Sequence, residues 1–263
     1  MIRLNPIISS AKVPAILFRR SDRILFPELN SPALIILKTG HVRADELEKL
    51  GSFLSEKENA KRQRFRFSRD RVSYTVVHGY LRWMLGRYLG VSPETVEINY
   101  NSFGKPSVSG YPRHVFFNLS HSSGLSALAF DPENEIGVDV EHMDKKFEFE
   151  PIMQLFFTKE EGQYIQHSEA EPWKRFYEIW TRKEAILKAL GLGITENLRV
   201  EVLNEKIKGN VIMEDGFDCK DFLFRSMIFE QNYRITLALN EHSDNIHAYV
   251  IGNNEDGIPM NEL

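Results

Sequence analysis

Residues 136–142 read IGVDVEH. Ile136, Val138 and Val140 alternate with Gly137, Asp139 and Glu141, which is the period of a strand whose side chains point to opposite faces. The apolar residues share one face, and the two carboxylates share the other. Like charges held that close repel unless something neutralises them. The stretch therefore predicts a strand with one core face and an acidic face that needs a cationic partner.

The flanking chain sets this strand in context. HVFFNLSHSSGLSALAF (residues 114–130) reads as two strands around the polar centre SHSSG, a hairpin. DPENE (residues 131–135) has turn residues and charge but no apolar anchor, so it reads as a linker. Further upstream, PALIILK (32–38) is a strand, residues 43–65 are helical in composition, and residues 70–90 form the strongest helix of the first half. In that helix Val72, Val76, Tyr80, Met84 and Tyr88 follow one stripe, and Gly90 is a stop. TVEINYN (95–101) is a strand, followed by the turn-like SFGKPSVSGYP (102–112). Downstream, EPIMQLF, TKEEGQYI with Thr158 as N-cap, and residues 171–193 read as helices. RVEVL, FLFRSMIF, YRITLALN and IHAYVIG then read as strands. Helices and strands come in runs rather than in strict alternation, so the expected class is α+β. The expected organisation is an extension over residues 1–32, an α+β half over 33–130, the linker 131–135 and a second α+β half over 136–263.

The 263 residues are 42% hydrophobic and 27% charged, enough for a sizeable core and against general disorder. The formal net charge of −4 disfavours a generally basic nucleic-acid binder. The single cysteine, Cys219, excludes an internal disulfide and suits a reducing compartment. No apolar signal segment or bilayer-spanning stretch is present, so a soluble cytoplasmic protein is expected.

A third carboxylate comes from FYEIWTRKEAILKALG. Phe176, Ile179, Trp180, Lys183, Ile186, Leu187 and Leu190 share one side of a helix, with Glu184 and Lys188 as i,i+4 neighbours at its edge. Alone, this is an amphipathic helix with an ordinary ion pair and with Lys183 snorkelling out. Taken with Asp139 and Glu141, Glu184 completes an all-oxygen set of the kind preferred by Mg²⁺ or Mn²⁺, ions that keep positions for substrate phosphates. No His/Cys spacing for zinc is present.

The basic segment EKENAKRQRFRFSRDR carries Lys57, Lys61, Arg62, Arg64, Arg66, Arg69 and Arg71. Such a cluster in an acidic chain suits phosphate groups. A solvated helix face paired with Glu56, Glu58 and Asp70 is the plain alternative, and an RNA surface is a third. FGKP places Lys105 at a turn where Gly104 lets backbone approach a ligand. NLSHS places Ser120 and His121 where a strand enters a turn. Neighbours on a strand face opposite ways, which disfavours a direct Ser120–His121 dyad.

FGKP, FNLSHS, IGVDVE and FYEIWTRKEAILKALGLG, in this order and spacing, resemble the Sfp-type 4′-phosphopantetheinyl transferases. The resemblance covers most of residues 33–250. It implies two similar α+β halves related by a pseudo-twofold, with coenzyme A bound between them. It also implies transfer of the 4′-phosphopantetheine arm to a serine of an apo acyl-, polyketide- or peptidyl-carrier protein, with release of 3′,5′-ADP. Asp139, Glu141 and Glu184 match the metal triad. Lys188 matches the lysine facing the pyrophosphate, and Lys183 the lysine of the K-E pair; both belong to the expected coenzyme A-binding set. Ser120 and His121 match residues beside the coenzyme A phosphates. Gly104, Lys105 and Pro106 match the turn near the adenine nucleotide, while Lys61, Arg64 and Arg71 match the region meeting the 3′-phosphate. Position 58 is Glu where some members carry a basic residue. The expected catalytic set is Glu184, Lys188 and His121, in a monomer. A different magnesium-dependent phosphoryl or nucleotidyl transferase and a non-catalytic carrier-binding relative are the competing readings.

Overall fold

In the computed structural model the described residues are 16–19, 30–40, 42–167, 171–193, 200–204, 222–240 and 246–252. The chain forms a five-stranded sheet in the order β1-β10-β2-β6-β5, built from β1 (Ile16–Arg19), β2 (Ala33–Lys38), β5 (Phe116–Ser122), β6 (Leu125–Asp131) and β10 (Ile246–Ile251). A three-stranded antiparallel sheet, β7-β9-β8, contains β7 (Gly137–His142), β8 (Phe222–Phe229) and β9 (Tyr233–Asn240). A small hairpin joins β3 (Ile98–Tyr100) and β4 (Pro106–Val108).

Strand alternation builds the layers. On β2, Ile35 and Leu37 pack with the helix α3 (Ser68–Leu89), whereas Leu34 and Ile36 face the other sheet. On β6, Leu128 and Phe130 point to α3, and the small Ala127 and Ala129 point to the sheet–sheet core. Ile136, Val138 and Val140 enter that same inter-sheet core, as the IGVDVEH pattern predicts. The far face of the second sheet is covered by α6 (Pro172–Leu190), with α4 (Glu150–Phe156) and α5 (Lys159–Gln166) beside it. The result is two α+β halves stacked sheet against sheet, each with one long helix outside.

Helix α3 is buried around most of its circumference, beyond the single predicted stripe, because a second helix lies on its other side. Gly79 makes this approach close: a Cβ there would stand 2.7 Å from the Leu50 Cβ. Both long helices end at glycines in the left-handed region, Gly90 at φ 75° and Gly191 at φ 69°. Thr158 caps α5 as expected, with Glu161 closing the capping box. The helical segment 43–65 divides into α1 (Ala44–Ser52) and α2 (Glu56–Gln63), because Ser55 forms a second capping box with Glu58 and starts a new helix.

Three expectations change. The segment 1–32 is not wholly an extension, since β1 pairs parallel with β10; most of the remainder lies outside the described residues, as does Cys219. IHAYVIG does not join the second half. Its strand β10 inserts between β1 and β2, where Ala33–Leu37 offer backbone partners in register with His247–Ile251. Of RVEVL, residues 200–203 are not strand. Arg182 and Lys183 take up the backbone carbonyls of Val200, Val202 and Leu203 there, so side chains satisfy groups that a ladder would otherwise pair.

Gly137 brings the two elements of interest together. A Cβ at this position would lie 1.9 Å from the Ala185 carbonyl oxygen and 2.6 Å from the Ala189 amide nitrogen of α6. The helix backbone thus rests on the strand, one residue from Val138 and two from Asp139. Gly137→Ala is expected to cost about 3 kcal/mol, at the upper end for overpacking because both contacts are backbone. Urea titration would measure this, and a loss under about 1 kcal/mol would contradict so close an approach.

Candidate functional site

Strands β5 and β7 are edge strands of different sheets, and polar side chains join them. Asn118, Ser120 and Ser122 lie two apart on β5, so all three face β7. Asn118 Oδ1 accepts from the Val138 amide at 3.1 Å. Ser120 Oγ donates to Asp139 Oδ1 at 2.9 Å. Ser122 Oγ donates to Glu141 Oε2 at 3.0 Å and accepts from the His142 amide at 3.0 Å. The second serine of FNLSHS and its asparagine were not singled out from sequence; the period of two shared by Asn118, Ser120 and Ser122 is the signal that would have found them.

From α6, Lys188 Nζ donates to Asp139 Oδ1 at 2.7 Å and to Ser120 Oγ at 2.9 Å. The cationic partner that the acidic strand face calls for is thus, in part, this ammonium. Asp139 is buried, 2% exposed. Its Oδ2 and Glu184 Oε1 are buried without a hydrogen-bond partner among the described residues. Burial pushes the Glu184 carboxyl up to about 7, helped by the charges of Asp139 and Glu141 and opposed by Lys188. Glu141 is raised by burial and by Asp139, while hydrogen bonds from Ser122 and Trp180 and the charge of Lys188 pull the other way. The three carboxylates therefore share one electrostatic site.

As the side chains stand, no three His, Cys, Asp or Glu residues among those described are arranged to hold a metal ion. Lys188 holds Asp139 Oδ1 and Ser122 holds Glu141 Oε2. The donor set nevertheless suits a hard divalent cation. It is all oxygen, it concentrates like charge, and it holds two buried carboxylate oxygens unpartnered.

A cavity of about 440 Å³ lies beside these groups. Lys188 and His121 line it, so Lys188 links the cavity to Asp139. Burial, and then the Lys188 ammonium, hold the His121 imidazole below its usual range. Gly104, with φ 85°, Lys105 and Pro106 also line the cavity, as does Lys61. Lys105 does more than line it. Its ammonium binds Glu135 and the Ala189 carbonyl, and so clamps the turn to the end of α6. The adjacent Asn101 donates to the Gly191 carbonyl at 2.8 Å. Tyr74 and His78, stacked with ring centroids 4.0 Å apart, complete an aromatic wall that sequence reasoning did not single out.

Four expected ligand contacts are not among the residues that line this cavity. Ser120 is one, its hydroxyl held between Lys188 and Asp139. Arg64 ends α2 at the surface, and Arg71 donates to the Phe65 carbonyl at 2.9 Å; neither is among the lining residues. Lys183 points into the second half's interior. It is fully buried, 2.9 Å from Glu161 Oε2, and donates to the Val200 carbonyl at 2.9 Å. Its place on the apolar stripe of α6 sends it inward rather than to the cleft. Burial lowers its pKa, against the opposing pull of Glu161. Glu58, where some members of the family carry a basic residue, is likewise internal. Burial pushes its carboxyl up, but His78, Ser55 and Arg82 together bring it down to about 2.

Among the described residues no helix is long and apolar enough to cross a membrane. A family model described as the 4′-phosphopantetheinyl transferase superfamily matches residues 135–238. A second, described as the N-terminal part of 4′-phosphopantetheinyl transferase, matches residues 41–133. The 4′-phosphopantetheinyl transferase HetI of Nostoc sp. is 36% identical over 160 residues, covering 60% of this chain and 68% of the relative. The L-aminoadipate-semialdehyde dehydrogenase-phosphopantetheinyl transferase of Rattus norvegicus is 26% identical over 246 residues, 84% of this chain and 74% of that protein. A phosphopantetheinyl transferase of Thraustochytrium sp. is 29% identical over 210 residues, 74% and 73% of the two chains. With both halves matched by family models and a relative 36% identical over 68% of its own length, the chain belongs to the 4′-phosphopantetheinyl transferase superfamily and is an enzyme that transfers phosphopantetheine to carrier proteins.

Proposed function

We propose that the protein is an Sfp-type enzyme that takes the arm from coenzyme A in a Mg²⁺-dependent reaction and releases 3′,5′-ADP. The observation that carries this reading is the Lys188 ammonium, which lines the cavity while bonding to the buried Asp139. A pyrophosphate lying in the cavity would meet a fixed positive charge there, next to three carboxylates able to hold a cation. The nucleotide end of coenzyme A is assigned to the wall formed by Lys61, Tyr74, His78 and the Gly104–Pro106 turn of the first half. The metal is assigned to Asp139, Glu141 and Glu184 of the second. Both walls come from one chain, which supports a monomeric active unit. One cysteine in 263 residues supports a cytoplasmic setting.

In this reaction the carrier serine oxygen forms a bond to the phosphorus bearing pantetheine, and the bond from that phosphorus to the 3′,5′-ADP oxygen breaks. A bound Mg²⁺ would neutralise charge on the pyrophosphate oxygens and on the leaving group. Lys188 adds positive charge on the cavity side, and His121 supplies a hydrogen-bonding imidazole beside it. Glu184, the one of the three carboxylates contributed by α6, is assigned as acceptor of the serine proton, directly or through a water held beside it. The test is the intact mass of apo carrier protein incubated with this protein, coenzyme A and Mg²⁺. A gain of one phosphopantetheine that EDTA abolishes supports the reading. Transfer undiminished by EDTA would remove the metal from it.

Glu184 also makes metal-free stability depend on pH. The folded protein keeps this proton up to about 7, against an ordinary value of 4.5. The associated stability is complete below about 4.5 and is lost as pH rises through about 7. Glu184→Gln, which is neutral throughout, is expected to be more stable than wild type by ~1–3 kcal/mol at pH 8 in EDTA, and equal to it at pH 4. Its transfer rate should fall at least ~100-fold. Urea titrations at the two pH values check the first effect. Near-normal turnover with metal bound would end the proton-acceptor role.

A further inference from the structure

Ser122 is the member of the β5 polar row whose bonding is fully specified. It accepts the His142 amide proton at 3.0 Å, so its own proton is directed to Glu141 Oε2, also at 3.0 Å. The donor and acceptor capacity of the hydroxyl used in these two bonds locks its rotamer. Glu141 is half-buried at the end of β7, beside the like-charged Asp139 and Glu184, with the Lys188 ammonium and the Trp180 side chain acting on it from α6. Repulsion from the two carboxylates is opposed by these groups and by Ser122, and Ser122 is the donor on the first half whose orientation a second bond fixes. Ser120 has a different task, because its hydroxyl lies between Lys188 and Asp139.

We propose that Ser122 is a positioning residue for Glu141: it ties down Oε2 and so sets the orientation in which the carboxylate meets the divalent cation. This rests on the assignment of the cation to Asp139, Glu141 and Glu184. Ser122 touches neither substrate nor cation; it acts through Glu141. Groups that orient a metal ligand typically contribute 10- to 100-fold to metal affinity, and that is the scale expected here. Because the serine lies on an edge strand and its side chain is only half-buried, its removal leaves the cores intact.

The test measures Mn²⁺ and Mg²⁺ binding by calorimetry on metal-stripped wild type, Ser122→Ala and Ser122→Thr, without coenzyme A or carrier. The same three proteins are then assayed for transfer across a Mg²⁺ series. The expected result is 10- to 100-fold weaker cation binding in Ser122→Ala, affinity near wild type in Ser122→Thr, and transfer by Ser122→Ala that recovers as Mg²⁺ is raised. Equal affinity in wild type and Ser122→Ala would overturn the positioning role while leaving the metal site standing. A loss in both variants alike would overturn it too, by showing that volume and not the hydroxyl matters. Absence of cation binding in wild type would overturn the metal assignment and this proposal with it.

Discussion

Asp139→Ala is expected to lower phosphopantetheine transfer at least ~10³-fold, a loss of about 4 kcal/mol of transition-state stabilisation. Two functions end together. The buried carboxylate is the acceptor for both Lys188 and Ser120, and it is one of the two carboxylates among the described residues with an unpartnered buried oxygen. Without it, Lys188 loses its ion-pair partner and keeps the bond to Ser120, and Glu184 loses a like charge that helps raise its carboxyl. Folding should survive. Lys188 is part-exposed and can turn to water, and a residue at 139 still continues a strand whose core contacts come from Val138 and Val140. Intact-mass assay gives the rate, and circular dichroism with urea titration gives the fold. Transfer within tenfold of wild type at the same Mg²⁺ would remove Asp139 from the site.

Lys183→Ala is expected to destabilise the protein by about 3–5 kcal/mol, the usual consequence of leaving one member of a buried ion pair uncompensated. Lys183 and Glu161 are both fully buried. Between them they hold α5, α6 and the segment around Val200, since Glu161 also accepts from the Val202 amide at 3.0 Å and closes the Thr158 capping box. The variant leaves a carboxylate in an apolar interior with no cation beside it. The companion variant Lys183→Met with Glu161→Gln removes both charges and should recover most of the loss. Urea titration measures both proteins. The folded fraction of Lys183→Ala should keep its affinity for coenzyme A. A specific rise in the KM for coenzyme A with stability unchanged would return Lys183 to the ligand-binding set.

Lys183 and Lys188 show where sequence reading stops. Both lie on the same helix within WTRKEAILK, and both are expected in the coenzyme A-binding set. Which one reaches the cavity depends on what surrounds the helix. One face of α6 meets α5 and the 200–204 segment, and another meets β7 at Gly137. Similarly, the basic run 57–71 was plain in composition. Only the path of the chain shows Lys61 at the cavity, Arg71 holding a backbone carbonyl and Glu58 turned inward to Arg82 and His78.

By itself, the sequence determined the strand character of IGVDVEH, the two long helices and their glycine ends, the hairpin around SHSSG, the α+β class and the family. These rest on local periodicity, capping and motif order, each contained within a few consecutive residues. Tertiary structure alone decided that the strand near the C-terminus completes the first sheet, that β5 and β7 meet through serine and asparagine side chains, and that Lys188 but not Lys183 faces the cleft. Such choices depend on backbone groups and charges distant along the chain finding partners when the two sheets stack. No local pattern encodes which partner will be within reach.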